Sequence, residues 1–167
     1  PFHKKKSGVF FFKSSNPYEF YDLLNGIDME PKQDVWGTLI FPENAKLPCP
    51  VIVPIHGSAG LREGHHTHMV NLLEAGFAVF RIHHFESRGV ISIVENQTQV
   101  TLATMITDAF RALALLNKHP DIDKNKIGIM GWSLGGSTAL YAAWQPIIDA
   151  LTSGDEKFSA YLPLYPG

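Results

Sequence analysis

An α/β protein, with a mostly parallel sheet covered by helices on both faces, is the fold class this sequence predicts. Three observations carry that expectation. Apolar runs alternate with amphipathic segments along the 167 residues. The later runs are near-continuously apolar rather than alternating, as strands buried on both faces must be. Two of them discharge directly into glycine-bearing loops, the setting for a strand that hands over to a helix or a binding loop.

The elements follow in order. Residues 9–12 (VFFF) and 35–41 (VWGTLIF) are β-branched and aromatic, and the second run stops at Pro42, so both read as strands. Residues 51–55 (VIVPI) form the next strand and run into His56-Gly57-Ser58-Ala59-Gly60. Pro54 counts against a regular central strand there. Residues 68–74 carry Met69, Val70, Leu72 and Leu73 before Ala75-Gly76, a short helix with a glycine stop. Residues 77–82 (FAVFRI) are a strand. Between Thr101 and Lys118, apolar Leu102, Met105, Ile106, Ala109, Phe110, Leu113 and Leu116 recur at steps of three and four, one face of a long helix. Pro120 closes it, and Asp121-Ile122-Asp123 reads as a polar turn. Residues 126–130 (KIGIM) form a strand leading through Gly131-Trp132-Ser133-Leu134-Gly135-Gly136 into an alanine-rich helix over 137–144, ended by Pro146. Residues 158–164 (FSAYLPL) are the last strand candidate.

Length sets one domain over 1–167, with 1–34 as a lead-in segment and first strand. The formal net charge of −2 argues against a nucleic-acid partner, which needs concentrated Lys and Arg. The one basic run, Lys4-Lys5-Lys6, reads as a solvated tail. A single cysteine, Cys49, has no internal disulfide partner and reads as a small, partly buried side chain. No apolar run approaches the ~18 residues that span a bilayer. The chain begins with Pro1 rather than Met, as a processed chain or an excerpt of a longer one would. Compartment and oligomeric state are not set by these features.

The chemistry concentrates at Gly131-Trp132-Ser133-Leu134-Gly135, a Gly-x-Ser-x-Gly pattern placed between a predicted strand and a predicted helix. A tight reversal there strains the serine backbone and projects Oγ above the sheet. Gly131 and Gly135 are needed because larger side chains would strike neighbouring backbone. The helix N-terminus favours developing negative charge, so the Leu134 N–H is a natural oxyanion donor. A second donor is expected from the 56–60 loop: the Ser58 N–H, with Ala59 as the fallback. Trp132 reads either as pocket wall or as core. His56 reads as a structural histidine leading the loop and, with Gly57, Ala59, Arg88 and Trp132, as a possible substrate-pocket residue.

GWSLGG at 131–136, HGSAG at 56–60, the segment Phe85-Glu86-Ser87-Arg88-Gly89-Val90 and DIDKNKIGIM at 121–130 together resemble the dienelactone hydrolase family of α/β-hydrolases, over roughly residues 35–167. The resemblance implies the α/β-hydrolase fold, hydrolysis of small-molecule esters or lactones through an acyl-enzyme, and neither metal nor organic cofactor. Two departures stand out. Dienelactone hydrolase proper carries cysteine where this chain has Ser133, which favours a broader serine esterase. Members often have Asp-Ser-Phe where this chain has His83-His84-Phe85.

A serine hydroxyl needs a base oriented by a third group. The resemblance places acid and histidine after further strands. No histidine follows Ser133, and Asp149, Asp155 and Glu156 precede the last strand candidate. The expectation is therefore an α/β-hydrolase domain cut before its last strands, without triad Asp and His, incompetent on its own and with an open strand edge. Arg88 could pair with a substrate carboxylate or tie its loop to backbone carbonyls. His65, His66, His68, His83 and His84 form two histidine-rich loops whose spacing matches no metal site. The competing readings are a serine peptidase of prolyl-oligopeptidase type and a non-catalytic binding protein on the same fold.

Overall fold

Consecutive side chains of a strand point to opposite faces, so burial along a strand reports whether one face or both are covered. In the computed structural model, which describes residues 7–153 and 156–167, six strands form one sheet: β1 (Gly8–Ser14), β2 (Gln33–Ile40), β3 (Cys49–Ile55), β4 (Ala78–Ile82), β5 (Ile122–Trp132) and β6 (Ala160–Leu164). Their order is β1-β2-β4-β3-β5-β6. β4, β3, β5 and β6 run parallel, while β2 is antiparallel to both β1 and β4. Val79 and Phe80 are both buried, as are Ile129 and Met130, so β4 and β5 are covered on both sides, whereas β6 at the sheet edge is not and leaves Leu162 exposed. In β2 burial alternates, with Val35 and Leu39 inside and Ile40 exposed, as a half-covered antiparallel strand requires. The Lys4-Lys5-Lys6 run and Asp155 lie outside the described residues.

Among the described residues five α-helices connect the strands: α1 (Phe20–Asn25), α2 (Glu63–Glu74), α3 (Leu102–Leu116), α4 (Leu134–Tyr141) and α5 (Gln145–Leu151). α3 and α4 pack on each other and on the sheet, and α2 packs on β4. Thr101 caps α3, its side chain accepting from the Thr104 N–H. Met105, Ile106, Ala109, Phe110, Leu113 and Leu116 of α3 are all buried, and each large member contributes about 1.5–3 kcal/mol by leaving water.

Several boundaries differ from the sequence reading, each for a physical reason. α2 begins at Glu63 rather than residue 68, because the His65 side chain accepts the Arg62 N–H and so closes the first turn. Asp121-Ile122-Asp123 is not simply a polar turn, since Ile122 already pairs with Cys49 and opens β5. Pro146 opens α5 instead of ending the previous helix, because proline suits a first helical turn whose N–H groups are unpaired anyway. Pro54 is accommodated because the β3–β4 ladder covers only Val51 and Ile52, leaving the proline beyond it. Phe158 precedes β6, buried with its ring edge-on to Phe110. α1 carries too short a pattern to be seen in the sequence.

Candidate active site

The carboxyl ends of β3, β5 and β6 converge where Gly131-Trp132-Ser133-Leu134-Gly135 passes from β5 into α4. Ser133 sits between them at φ 53°, ψ −118°. That backbone conformation costs on the order of 1–3 kcal/mol for a residue with a side chain and persists only when its surroundings impose it. They do. A Cβ on Gly131 would stand 2.0 Å from the Gly135 carbonyl oxygen, and one on Gly135 would stand 2.0 Å from that of Ile55. The Ser133 N–H donates to the Leu164 carbonyl at 3.1 Å, and the Ser137 N–H to the Ser133 carbonyl at 2.9 Å. The serine is exposed although Gly131, Trp132 and Gly135 around it are buried.

Ser133 opens into a cavity of about 300 Å³. Gly57, Ser58, Ala59 and Gly60 form one wall, and Trp132, His65 and Tyr165 contribute its aromatic surface. The 56–60 loop folds on itself, with the Gly60 N–H on the Gly57 carbonyl at 3.0 Å, and is anchored by the Ile93 N–H on the Ser58 carbonyl at 2.8 Å. A Cβ on Gly57 would lie 3.3 Å from that of Ser133, so this glycine lets the loop approach the serine closely. Among the described residues the Ser58 and Ala59 N–H groups donate no hydrogen bond. The Leu134 N–H, in the first turn of α4, has no intrahelical acceptor by helix geometry. A larger cavity of about 440 Å³ lies elsewhere, between Phe41, Glu43 and the end of α2 at Glu74, and has no serine, cysteine or histidine in its lining.

His56 does not face the cavity. Its ring is 3% exposed, with Nδ1 2.9 Å from the Gly57 carbonyl oxygen and Phe85 and His84 edge-on to it. Burial, then the neighbouring His84, lowers its pKa to about 4, so the imidazole is neutral and holds the loop rather than lining the pocket. Arg88 is likewise withdrawn from the pocket. Its guanidinium grips both oxygens of buried Asp108, at 2.8 and 2.9 Å, and also donates to Asn16 Oδ1 and the His84 carbonyl. No fork remains for a substrate carboxylate. His84 Nδ1 lies 2.8 Å from Oδ2 of the same carboxylate, the oxygen that also takes one Arg88 hydrogen bond, and the Ser14 hydroxyl donates to Oδ1. Burial alone would raise the Asp108 pKa, but the His84 hydrogen bond and the Arg88 charge bring it below the ordinary carboxylate value.

Trp132 is both core and pocket wall: 2% exposed, yet facing the cavity beneath two imidazoles. His65 stacks on its indole at 4.4 Å and 28°, and His68 is tilted against it at 5.5 Å. The two histidine-rich stretches part company here, and the first is not a loop: His65, His66 and His68 lie in α2. His83 stacks on Trp36, His84 joins Asp108, and no group of three metal-ligating side chains forms among the described residues. Sequence reasoning missed Asp108, His65 and Tyr165 as site-building residues. The one available signal was an aspartate set among the apolar steps of α3.

Residues 38–160 match the BD-FAE family. The chain belongs to the BD-FAE family. No curated protein matches it. A Klebsiella pneumoniae structure assigned to dienelactone hydrolase is similar at 19% identity and TM-score 0.58, over 84% of this chain and 57% of its own. Ferulic-acid-bound Est1E from Butyrivibrio proteoclasticus is similar at 24% identity and TM-score 0.53, over 68% of this chain and 45% of its own. A Bacillus coagulans carboxyl esterase, solved with glycerol, is similar at 16% identity and TM-score 0.53, over 84% of this chain and 41% of its own. The BD-FAE chain thus has the α/β-hydrolase fold expected from its sequence and spans 41–57% of these three neighbours' lengths.

Proposed function

We propose that this BD-FAE-family chain carries the nucleophile and oxyanion hole of a serine hydrolase acting on small-molecule carboxylic esters or lactones. The observation that carries the reading is the Ser133 backbone: φ 53° on a strand-to-helix bend walled by two glycines, with the side chain exposed to a cavity. A bend so costly has a purpose when it lifts a hydroxyl into a substrate-sized space. The mechanism is acyl transfer. Ser133 Oγ attacks the carbonyl carbon and gives its proton to a base. The Leu134 and Ser58 N–H groups, with Ala59 adjoining, hold the oxyanion, each donor lowering the barrier by about 3–4 kcal/mol. The tetrahedral intermediate expels the alcohol, and water then releases the acid.

Among the described residues no imidazole or carboxylate hydrogen-bonds Ser133 Oγ. On this reading the base and its orienting acid come from outside residues 1–167, and the isolated chain lacks base-assisted turnover. The same observation favours a second reading, a non-catalytic binding protein on the same fold. Hydrolysis of p-nitrophenyl butyrate by the product of the complete open reading frame decides between them. The esterase is expected to lose at least about 10³-fold in kcat on Ser133→Ala. Undiminished turnover by that variant overturns the assignment, and absence of turnover in the wild type favours the binder. A prolyl-oligopeptidase-type peptidase would instead cleave a peptide p-nitroanilide in preference to the ester when both are tested.

A further inference from the structure

We propose that His65 is a substrate-orienting hydrogen-bond donor in the Ser133 cavity, selecting esters whose acyl chain carries a second oxygen acceptor beside the scissile carbonyl. The inference deepens the esterase reading above and rests on it.

Three observations of the ring converge. First, the Arg62 backbone N–H points at His65 Nδ1 at 3.0 Å. A nitrogen that accepts a hydrogen bond carries no proton, so the neutral ring bears its hydrogen on Nε2. Second, the ring plane is fixed by stacking on Trp132 at 4.4 Å and 28°, and Trp132 is itself immobilised by burial. Third, His65 lines the same cavity as Ser133 and Ser58, and among the described residues its Nε2–H has no acceptor. Burial, then His68 and His66, lower its pKa, which favours this neutral single-donor form. A pre-oriented imidazole N–H without a partner, in a cavity that already holds a strained serine, is a donor waiting for a ligand oxygen.

Its place decides which oxygen. His65 lies in the first turn of α2, which follows directly from the 56–60 loop. On the esterase reading the 56–60 loop holds the carbonyl oxygen, and the donor is set on the acyl side of it. An α-alkoxy or α-hydroxy acyl chain offers an acceptor there; a purely hydrocarbon chain offers none and leaves the N–H to water. The two adjacent aromatic surfaces, Trp132 and Tyr165, supply apolar contact without discriminating between such chains.

The test uses p-nitrophenyl methoxyacetate and p-nitrophenyl butyrate, which differ by one oxygen in place of one methylene, with the product of the complete open reading frame. His65→Phe keeps an aromatic stack and removes both the donor and the Nδ1 that closes α2, so the readout is the ratio between the two esters; His65→Gln restores an N–H near the Nε2 position. His65→Phe should lower the ratio of kcat/KM for methoxyacetate to that for butyrate about 5- to 10-fold, through KM, and His65→Gln should recover most of that ratio. Equal losses on both esters, or a His65→Gln variant no better than His65→Phe, overturn the proposal. Long-range ¹H–¹⁵N spectra supply a readout independent of turnover: the Nε2–H tautomer at His65 is expected, and the Nδ1–H tautomer refutes it. Ser133→Ala separates the two readings, because loss of all hydrolysis in that variant leaves the esterase standing whatever His65 does.

Discussion

Asp108 offers the sharpest structural test, because three side chains depend on it through four hydrogen bonds. Its buried carboxylate holds Arg88 through two hydrogen bonds at 2.8 and 2.9 Å, His84 at 2.8 Å and the Ser14 hydroxyl. Asp108→Ala removes all four and leaves the Arg88 charge, on a side chain 7% exposed, without its counter-ion. Removing one partner of a buried pair costs about 3–5 kcal/mol, far more than the net worth of an intact pair. For a domain of this size that corresponds to a fall in Tm of roughly 6–20 °C. The double variant Asp108→Ala/Arg88→Met should recover part of the loss, because the unpaired charge goes with it. The pH dependence follows. With the folded pKa lowered below the ordinary value of 3.8, the carboxylate's contribution is fully present above that value and is lost as pH falls through the folded pKa. Urea titrations of wild type and both variants at pH 7 read the mutational terms, and a wild-type series carried down through pH 3.8 reads the pH dependence. An Asp108→Ala loss under about 1 kcal/mol would refute the argument that the cluster is a buried, mutually dependent network.

Three further outcomes are expected. Gly135→Ala should destabilise the fold by more than 2 kcal/mol by denaturant melt, since its Cβ meets the Ile55 backbone at 2.0 Å and backbone cannot rotate away. His56, with its pKa lowered from 6.5 to about 4, is protonated in the unfolded chain before the folded one, so stability should fall as pH drops from 6.5 towards 4. The loss should approach about 3 kcal/mol, and His56→Asn, which keeps a donor for the Gly57 carbonyl, should flatten that slope in a pH series of melts. Arg88→Lys should cost about 1–3 kcal/mol of stability yet leave KM for carboxylate-bearing and neutral esters in unchanged ratio, because the guanidinium is spent on Asp108 and not on the cavity.

Much of this was legible in the residues because local rules and tertiary needs agree. The 3.6-residue period of α3, the apolar run of β5 and the spacing of Gly131, Ser133 and Gly135 each pointed to the structure that formed. The paired roles of His56 and Arg88 were harder. A histidine at a strand end and an arginine after a strand look like pocket residues, and only the tertiary fold brings Asp108 of α3 within reach of Arg88 and its neighbour His84. The start of α2 was missed because Glu63-Gly64-His65-His66 has no apolar period; its first turn closes through an imidazole accepting a backbone N–H, which no hydrophobic pattern reports. His65 itself was visible only as part of a histidine-rich stretch, and its stack on Trp132 depends on α2 crossing the end of β5.

Covalent labelling by a fluorophosphonate, located by peptide mass spectrometry on the product of the complete open reading frame, addresses the nucleophile most directly. The adduct is expected on the peptide containing Ser133, at one equivalent, and to vanish in Ser133→Ala. An adduct on a different residue, or ester turnover that survives with position 133 unlabelled, would contradict the account.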